Sequence, residues 1–227
     1  MMKNKLLATL PPKEYKSLEP HLNPVTFTIG EVLFRPGENL QHAVFPTSTV
    51  ISLLTELEGG GGMEVGLVGK EGMVGVSIVL GGTETKLGTA QANGTALRIE
   101  AAKVREEFGK GGVFQSMLLR YTHTLISQIS QSAVCNVRHP VEGRLARWLL
   151  MYHDRLERDE FEMTQQIMAT MLGVRRSSVT EVAGKLQDMG FIQYQHGRLK
   201  ITDRKGLEQF ACECYPIVKE KIDELLS

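Results

Sequence analysis

Cysteine is scarce in this chain of 227 residues, where only Cys135, Cys212 and Cys214 occur. Three thiols make neither an even disulfide framework nor a zinc quartet, so a reducing, cytoplasmic setting is expected. Long apolar runs are missing as well. The stretch Met73 to Leu80 is short and broken by glycine, far below the roughly 20 residues that span a bilayer, so no membrane partner is expected. Met1 to Leu10 holds two lysines but no sustained apolar segment and no small-residue cleavage site, which argues against a secretory signal. Net charge is also lacking: 26 basic residues balance 26 acidic ones, so the chain as a whole carries no basic footprint for a phosphate-rich partner. A clustered catalytic constellation is absent too. His21 and His42 are the only histidines before residue 100, too few for a metal-binding β-roll enzyme, and no enzymatic activity is expected.

Glycine is plentiful, and its distribution divides the chain. Fourteen of the 23 glycines lie between Gly30 and Gly94, separating short runs rich in Val, Ile, Leu and Thr. Val25–Thr28, Glu31–Phe34, His42–Phe45, Val50–Leu54, Met63–Val65, Thr89–Ala92 and Ala96–Ile99 each read as a strand, and such spacing predicts an antiparallel roll over residues 1–110. Gly59 to Gly62 is expected to form an extended hairpin tip, since residues with φ > 0 cost little there.

From about Ala101 the apolar period lengthens. Phe114, Leu118, Tyr121, Leu125, Ile129 and Ala133 fall on one face of a long helix over 111–137, a stripe wide enough to serve both the roll and a partner chain. Asn136 to His139 read as a hinge before Pro140, which lacks a donor and disfavours helix in the residue before it. A second domain, 138–227, opens with Leu145, Trp148, Leu149 and Tyr152 at helical spacing.

Between Thr164 and Leu186 the order is helix, glycine turn, helix. Thr164 can cap the first helix, and Gly173 stands where a left-handed turn residue is needed. Val179, Val182, Ala183 and Leu186 form the inner face of the second helix, which leaves Arg176, Ser177, Thr180, Glu181 and Lys185 outside. A helix presented this way fits the major groove, with Arg176 reading guanine, Glu181 accepting from cytosine, and Arg175, Ser178 and Lys185 on phosphates. Gly190 to Ile201 reads as two strands around a His196-Gly197 turn, a wing that brings Arg198 and Lys200 to the DNA backbone. From Thr164 to Lys205 seven basic residues face three acidic ones, so positive charge is local despite the neutral total. Cys212-Glu213-Cys214 offers two thiols, but a zinc site needs about four ligands and the histidines are scattered; no metal and no cofactor are expected.

The run Thr164-Gln165-Gln166-Ile167 through Leu172-Gly173-Val174-Arg175-Arg176-Ser177-Ser178-Val179, with the wing after it and the roll and long helix before it, resembles the Crp/Fnr-type regulators, the cyclic-AMP receptor protein superfamily. The resemblance implies an α+β chain: an N-terminal antiparallel β-roll like a cyclic-nucleotide-binding domain, a long dimerisation helix, and a C-terminal winged helix-turn-helix. It further implies a homodimer on double-stranded DNA, with RNA polymerase as a partner, and it puts the family's base-reading arginine on Arg176. The family's usual glutamate after that arginine is Ser177 here, and its second arginine is Glu181, so a different operator is expected. The family's ribose-holding glutamate is matched by Met73 and its phosphate-holding arginine by Gly88, leaving Lys86 as the nearby cation. Loss of the charge-assisted partner implies that cyclic AMP does not bind. An iron-sulfur sensor of the Fnr kind would need N-terminal cysteines, which this chain lacks. The alternative reading is a ligand-sensing roll whose helix-turn-helix serves protein contacts.

Overall fold

A computed structural model describes residues 4–58 and 62–227. Two short helices, α1 (Lys5–Ala8) and α2 (Pro12–Leu18), lead into strands β1 (Asn23–Phe27), β2 (Val32–Phe34), β3 (His42–Pro46), β4 (Ile51–Glu56) and β5 (Gly62–Val68). Helix α3 (Ser77–Leu80) precedes β6 (Leu87–Ala90) and β7 (Gly94–Glu100). The strands form two antiparallel sheets in the orders β1-β7-β3 and β2-β6-β4-β5. Each of the seven expected runs contributes a strand, with ends displaced by up to three residues. The expected hairpin tip at Gly59–Gly61 lies outside the described residues, and Gly62 opens β5. Phe27, Phe34, Phe45, Ile51, Leu53, Val68, Ala90 and Ile99 fill the interior of the roll.

Helix α4 (Ala101–Gly109) is followed by Gly111 and Gly112, whose φ values of +75° and +79° suit glycine and lead the chain into α5 (Gly112–Arg138). The Glu14 carboxylate accepts from the N–H groups of Val113 and Phe114 at 3.0 and 2.6 Å, so an anion from α2 satisfies free donors at the positive end of α5. Phe114, Leu118, Tyr121 and Leu125 are buried in the roll's own core, and Ile129 packs against it half-buried. The stripe expected to serve both roll and partner is therefore committed to the roll, and of the six residues only Ala133 is exposed. A different face of α5 carries exposed Leu119, Ile126, Val134 and Val137.

The expected hinge at Asn136–His139 is narrower than its sequence suggests. Helix α5 continues through Asn136, Val137 and Arg138, and only His139 and Pro140 are extended before α6 (Val141–Leu156). The missing donor and fixed φ of Pro140 are tolerated where a helix starts, so the break falls at the proline and not before it.

Strand β8 (Glu160–Glu162), α7 (Gln165–Leu172), α8 (Arg176–Asp188), β9 (Ile192–Gln195), β10 (Arg198–Ile201), α9 (Arg204–Phe210) and α10 (Cys214–Leu226) complete the chain. The wing sheet has the order β8-β10-β9, one strand more than the sequence indicated. Helix α10 returns to the roll side: Leu225 joins the roll core, and Arg120 donates to the carbonyls of Glu224 and Leu225 at 2.8 and 3.2 Å. In the other direction Val50, Leu54, Leu67 and Ala92 of the roll join the core built on Trp148, Tyr152 and Met171. Roll and helix-turn-helix thus meet through packed apolar surface. A buried ion pair adds to it, Arg155 Nε to Glu71 Oε1 at 2.8 Å, with Arg155 Nη2 also donating to Gln128 Oε1 at 3.0 Å.

Candidate nucleic-acid interface

Local sequence builds this site in four steps. Thr164, extended and exposed, caps α7 by accepting from the Ile167 N–H at 3.2 Å. Gly173 ends α7 in the left-handed conformation with φ +62°, and the Val174 N–H closes back on Ala169 O at 3.0 Å. A side chain at Gly173 would be strained by that φ and would also press on Met63 of β5, 3.1 Å away. Arg175 then stands at the N-cap of α8 with an extended backbone, which turns the chain so that the first turn of α8 faces outward.

Burial along α8 follows the expected split. Val179, Val182, Ala183 and Leu186 are buried against α6 and α7, while Arg175, Arg176, Ser177, Thr180, Glu181 and Lys185 are exposed and Ser178 is half-buried. Two of the candidate side chains already have partners. Thr180 Oγ1 lies 2.9 Å from Gln165 Oε1 and 3.1 Å from Arg176 O, so its proton ties α8 to α7 and the hydroxyl is left to accept. Lys185 Nζ pairs with Glu142 Oε1 of α6 at 3.3 Å and lies 5.9 Å from the Phe210 ring centroid, which draws it toward the scaffold. Arg175, Arg176 and Glu181 have no salt-bridge partner among the described residues. Thr164, Gln165 and Gln166, unassigned in the sequence, bring the N-terminus of α7 beside this face, with the free N–H groups that phosphates accept at a helix start.

The wing turns at His196 and Gly197, both with positive φ, as a tight two-residue hairpin requires. Leu199 and Ile201 point inward, and Arg198 and Lys200 alternate to the exposed side. Register sets Arg198 opposite Glu162 and Lys200 opposite Glu160, and Arg198 reaches Glu160 at 4.0 Å. The local basic excess is therefore partly offset by β8, whose two glutamates lie just before the window in which the sequence showed it.

In the roll, Met73 is fully buried and its carbonyl accepts from the Tyr121 hydroxyl at 2.7 Å. Gly88 lies under the Phe34 ring, so closely that a Cβ there would overlap it. Lys86 Nζ turns to Thr85 Oγ1 at 3.1 Å, and the buried Glu84 carboxylate accepts from Ser77 Oγ at 2.6 Å.

One further set of side chains could hold a metal. Cys135, His139, Cys212 and Cys214 bring their ligand atoms within 4.8 Å of one another. The sequence expectation of no metal rested on Cys212 and Cys214 lacking companions. The missing pair sits 77 and 75 residues earlier, brought in when α10 folds back along α5. No local spacing signals such a pair.

Residues 143–210 match the family model of the Crp-like helix-turn-helix domain. No curated protein matches the chain by sequence. Among solved structures, FixK2 of Bradyrhizobium japonicum superposes with a TM-score of 0.70 at 12% identity, covering 84% of this chain and 98% of that one. A CRP-family transcriptional regulator from Thermus thermophilus gives 0.69 at 17%, covering 82% and 96%. The c-di-GMP-responsive global regulator CLP of Xanthomonas campestris gives 0.66 at 15%, covering 84% and 99%. The roll, long helix and helix-turn-helix of this chain share their fold with all three.

Proposed function

We propose that this Crp/Fnr-type chain is a cytoplasmic, sequence-specific transcription regulator that binds duplex DNA as a homodimer and does not respond to cyclic AMP. The observation that carries the reading is the outward first turn of α8, where Arg175, Arg176 and Ser177 are exposed on a helix whose opposite face is buried. In the major groove Arg176 presents its guanidinium to guanine O6 and N7, and Glu181 meets a cytosine amino group one turn further along. Arg175, Ser178, Arg198 and Lys200 hold phosphates on either side. Thr180 and Lys185 contribute less than their exposure suggests, since each is already engaged by a neighbouring helix.

For the dimer, α5 offers a second face. Leu119, Ile126 and Ala133 recur every seven residues, and Ser116, His123, Ser130 and Val137 recur every seven between them, all of them exposed. That is the a/d spacing of a two-stranded seam. Ser116, Ser130 and Ala133 are small enough to let two helices approach. A two-fold axis along this seam would set two copies of α8 about 34 Å apart on one side of the duplex. In this arrangement residues 1–110 act as the sensor, 111–137 as the dimer helix and 138–227 as the reading head, with RNA polymerase as a further partner and no catalysis assigned.

Against cyclic AMP, a buried carboxylate at Glu84 and a phenyl ring over Gly88 lie in the stretch where an anionic phosphate needs a cation. Titration calorimetry with cyclic AMP should give no heat of binding; micromolar affinity would contradict this part of the reading.

The second reading, protein contact through the helix-turn-helix, draws on Glu160 and Glu162 beside the wing. Binding of a labelled random-sequence duplex across a salt series separates the two. A DNA reader binds at low salt and weakens with a log–log slope of several, one unit per phosphate contact to first order. No binding at low salt favours protein contact.

A further inference from the structure

We propose that Cys135, His139, Cys212 and Cys214 form a closed Cys3His site for one tetrahedral divalent metal ion of the zinc class. The site lies where the roll's long helix gives way to the reading head.

The distances suit a single ion. A metal bonded to sulfur at about 2.3 Å and to nitrogen at about 2.0 Å sets neighbouring donors roughly 3.5 to 3.8 Å apart at the corners of a tetrahedron. Cys135 Sγ and Cys212 Sγ are 3.4 Å apart, Cys214 Sγ and His139 Nδ1 are 3.5 Å apart, and all four donors fall within 4.8 Å. The sulfurs are free thiols, well beyond the bond length of about 2.05 Å for a disulfide. An iron-sulfur cluster sits among its thiolates and holds them farther apart than one ion does, so this spacing selects a mononuclear site.

The surroundings point the same way. His139 turns Nδ1 toward the sulfurs and leaves Nε2 3.6 Å from Glu213 Oε1. A carboxylate behind a ligating imidazole fixes its tautomer and orientation. Gln131 Nε2 stands 3.0 Å from Cys214 Sγ and donates to it, a bond that strengthens when the sulfur is a thiolate. Three thiolates and a neutral imidazole around a divalent ion leave one net negative charge. The guanidinium-bearing side chains of Arg144 and Arg147 on α6 are buried, Arg144 next to the Gly143 that accepts from the Cys212 N–H, and the Nε atom of each lacks a hydrogen-bond partner. A net negative centre would balance those two buried cations. Cys135 and Cys214 are buried while His139 and Cys212 are half-exposed along a surface cleft shared with Pro140, Glu142 and Lys185, which leaves an entry path.

Four protein ligands and no open position make the site structural, so its role is to hold a geometry. Cys135 lies in the last turn of α5, His139 is the residue that ends it, and Cys212 and Cys214 flank the start of α10. The Cys212 N–H donates to Gly143 O of α6 at 3.3 Å. A bound ion would therefore bond α5 to the start of α10, and the Cys212 N–H bond to Gly143 would carry that clamp across the break to α6. Lys185 of α8 and Glu142 line the same cleft, which places the site one ion pair away from the recognition helix.

The test is titration of the full-length, reduced, metal-free protein with Co2+, followed by Zn2+. The expected result is the intense visible ligand-field spectrum of tetrahedral, thiolate-bound Co2+, saturating at one ion per chain and abolished by one equivalent of Zn2+. Glu213 is exposed and tolerates change, so Glu213→Gln should keep the spectrum and weaken Co2+ affinity by about 10- to 100-fold. The weak spectrum of octahedral Co2+ would overturn the proposal. So would an unchanged spectrum in a Cys135→Ser/Cys212→Ser variant, or an affinity indifferent to Glu213→Gln.

Discussion

The indole Nε1 of Trp148 donates to Glu64 Oε1 at 2.8 Å, joining the first helix of the C-terminal domain to a roll strand 84 residues earlier. Ser52 Oγ donates to the second carboxylate oxygen, and Ser52 also contacts the sulfur of Met171 on α7. A buried acid therefore sits at the seam between the roll and the helix-turn-helix domain. Burial raises its pKa to about 7 from an ordinary value near 4.5, more than the hydrogen bonds from Ser52 and Trp148 lower it.

That shift makes the seam pH-dependent. The folded chain holds a proton that the unfolded chain releases, so the contribution is fully present below about pH 4.5 and is lost as pH rises through about 7. The span corresponds to about 3 kcal/mol. Thermal unfolding of wild type should fall relative to Glu64→Gln between pH 5 and pH 8, because the amide stays neutral; parallel curves would mean that Glu64 is not protonated in the folded chain.

Trp148→Phe keeps an aromatic ring against Tyr152, whose ring centroid lies 5.1 Å away, but removes the N–H donor and leaves a cavity where the larger indole packed, a cost that adds to the lost bond. Leaving one carboxylate oxygen of Glu64 unpaired should cost about 1–3 kcal/mol in urea unfolding. A loss below a few tenths would indicate that water replaces the indole.

If the proposed dimer forms along this face of α5, Leu119→Glu with Ile126→Glu should give a folded monomer by light scattering, because both side chains lie outside the core. Leu118→Glu, one residue away but buried in the roll, should instead destabilise the chain by more than 3 kcal/mol through an unpaired buried charge. A Leu119/Ile126 variant that stays dimeric would put the interface elsewhere.

The wing should act through charge alone. Lys200→Ala is expected to lower the salt slope of DNA binding by about 1 with little change in sequence preference. Glu160→Gln, which removes the acid opposite Lys200, should raise nonspecific affinity. No response to either change would take the wing off the DNA backbone.

Much of this architecture was legible because its signals are local. Gly173 between two apolar-striped helices and His196-Gly197 between alternating strands each specify a turn from a few residues. The helix-turn-helix and wing followed from those. The stripe Phe114, Leu118, Tyr121 and Leu125 was legible as the strongest on α5, and it packs into the chain's own roll core. The weaker repeat of Leu119, Ile126 and Ala133 remains outside. Strand β8 was missed because three residues, Glu160-Phe161-Glu162, give too short an alternation to stand out. The Cys135, His139, Cys212 and Cys214 cluster depends on α10 folding back along α5, a long-range contact that no spacing encodes.

The most direct test of the regulator reading is selection of bound sequences from a random duplex pool by the purified, full-length protein at near-physiological salt, where nonspecific binding is weak. Recovery of a palindrome with half-sites one helical turn apart, lost when Arg176→Ala is used in the same selection, is the predicted result. A pool that shows no enrichment with wild-type protein, or the same enrichment with Arg176→Ala, would contradict the assignment of α8 as the reading helix.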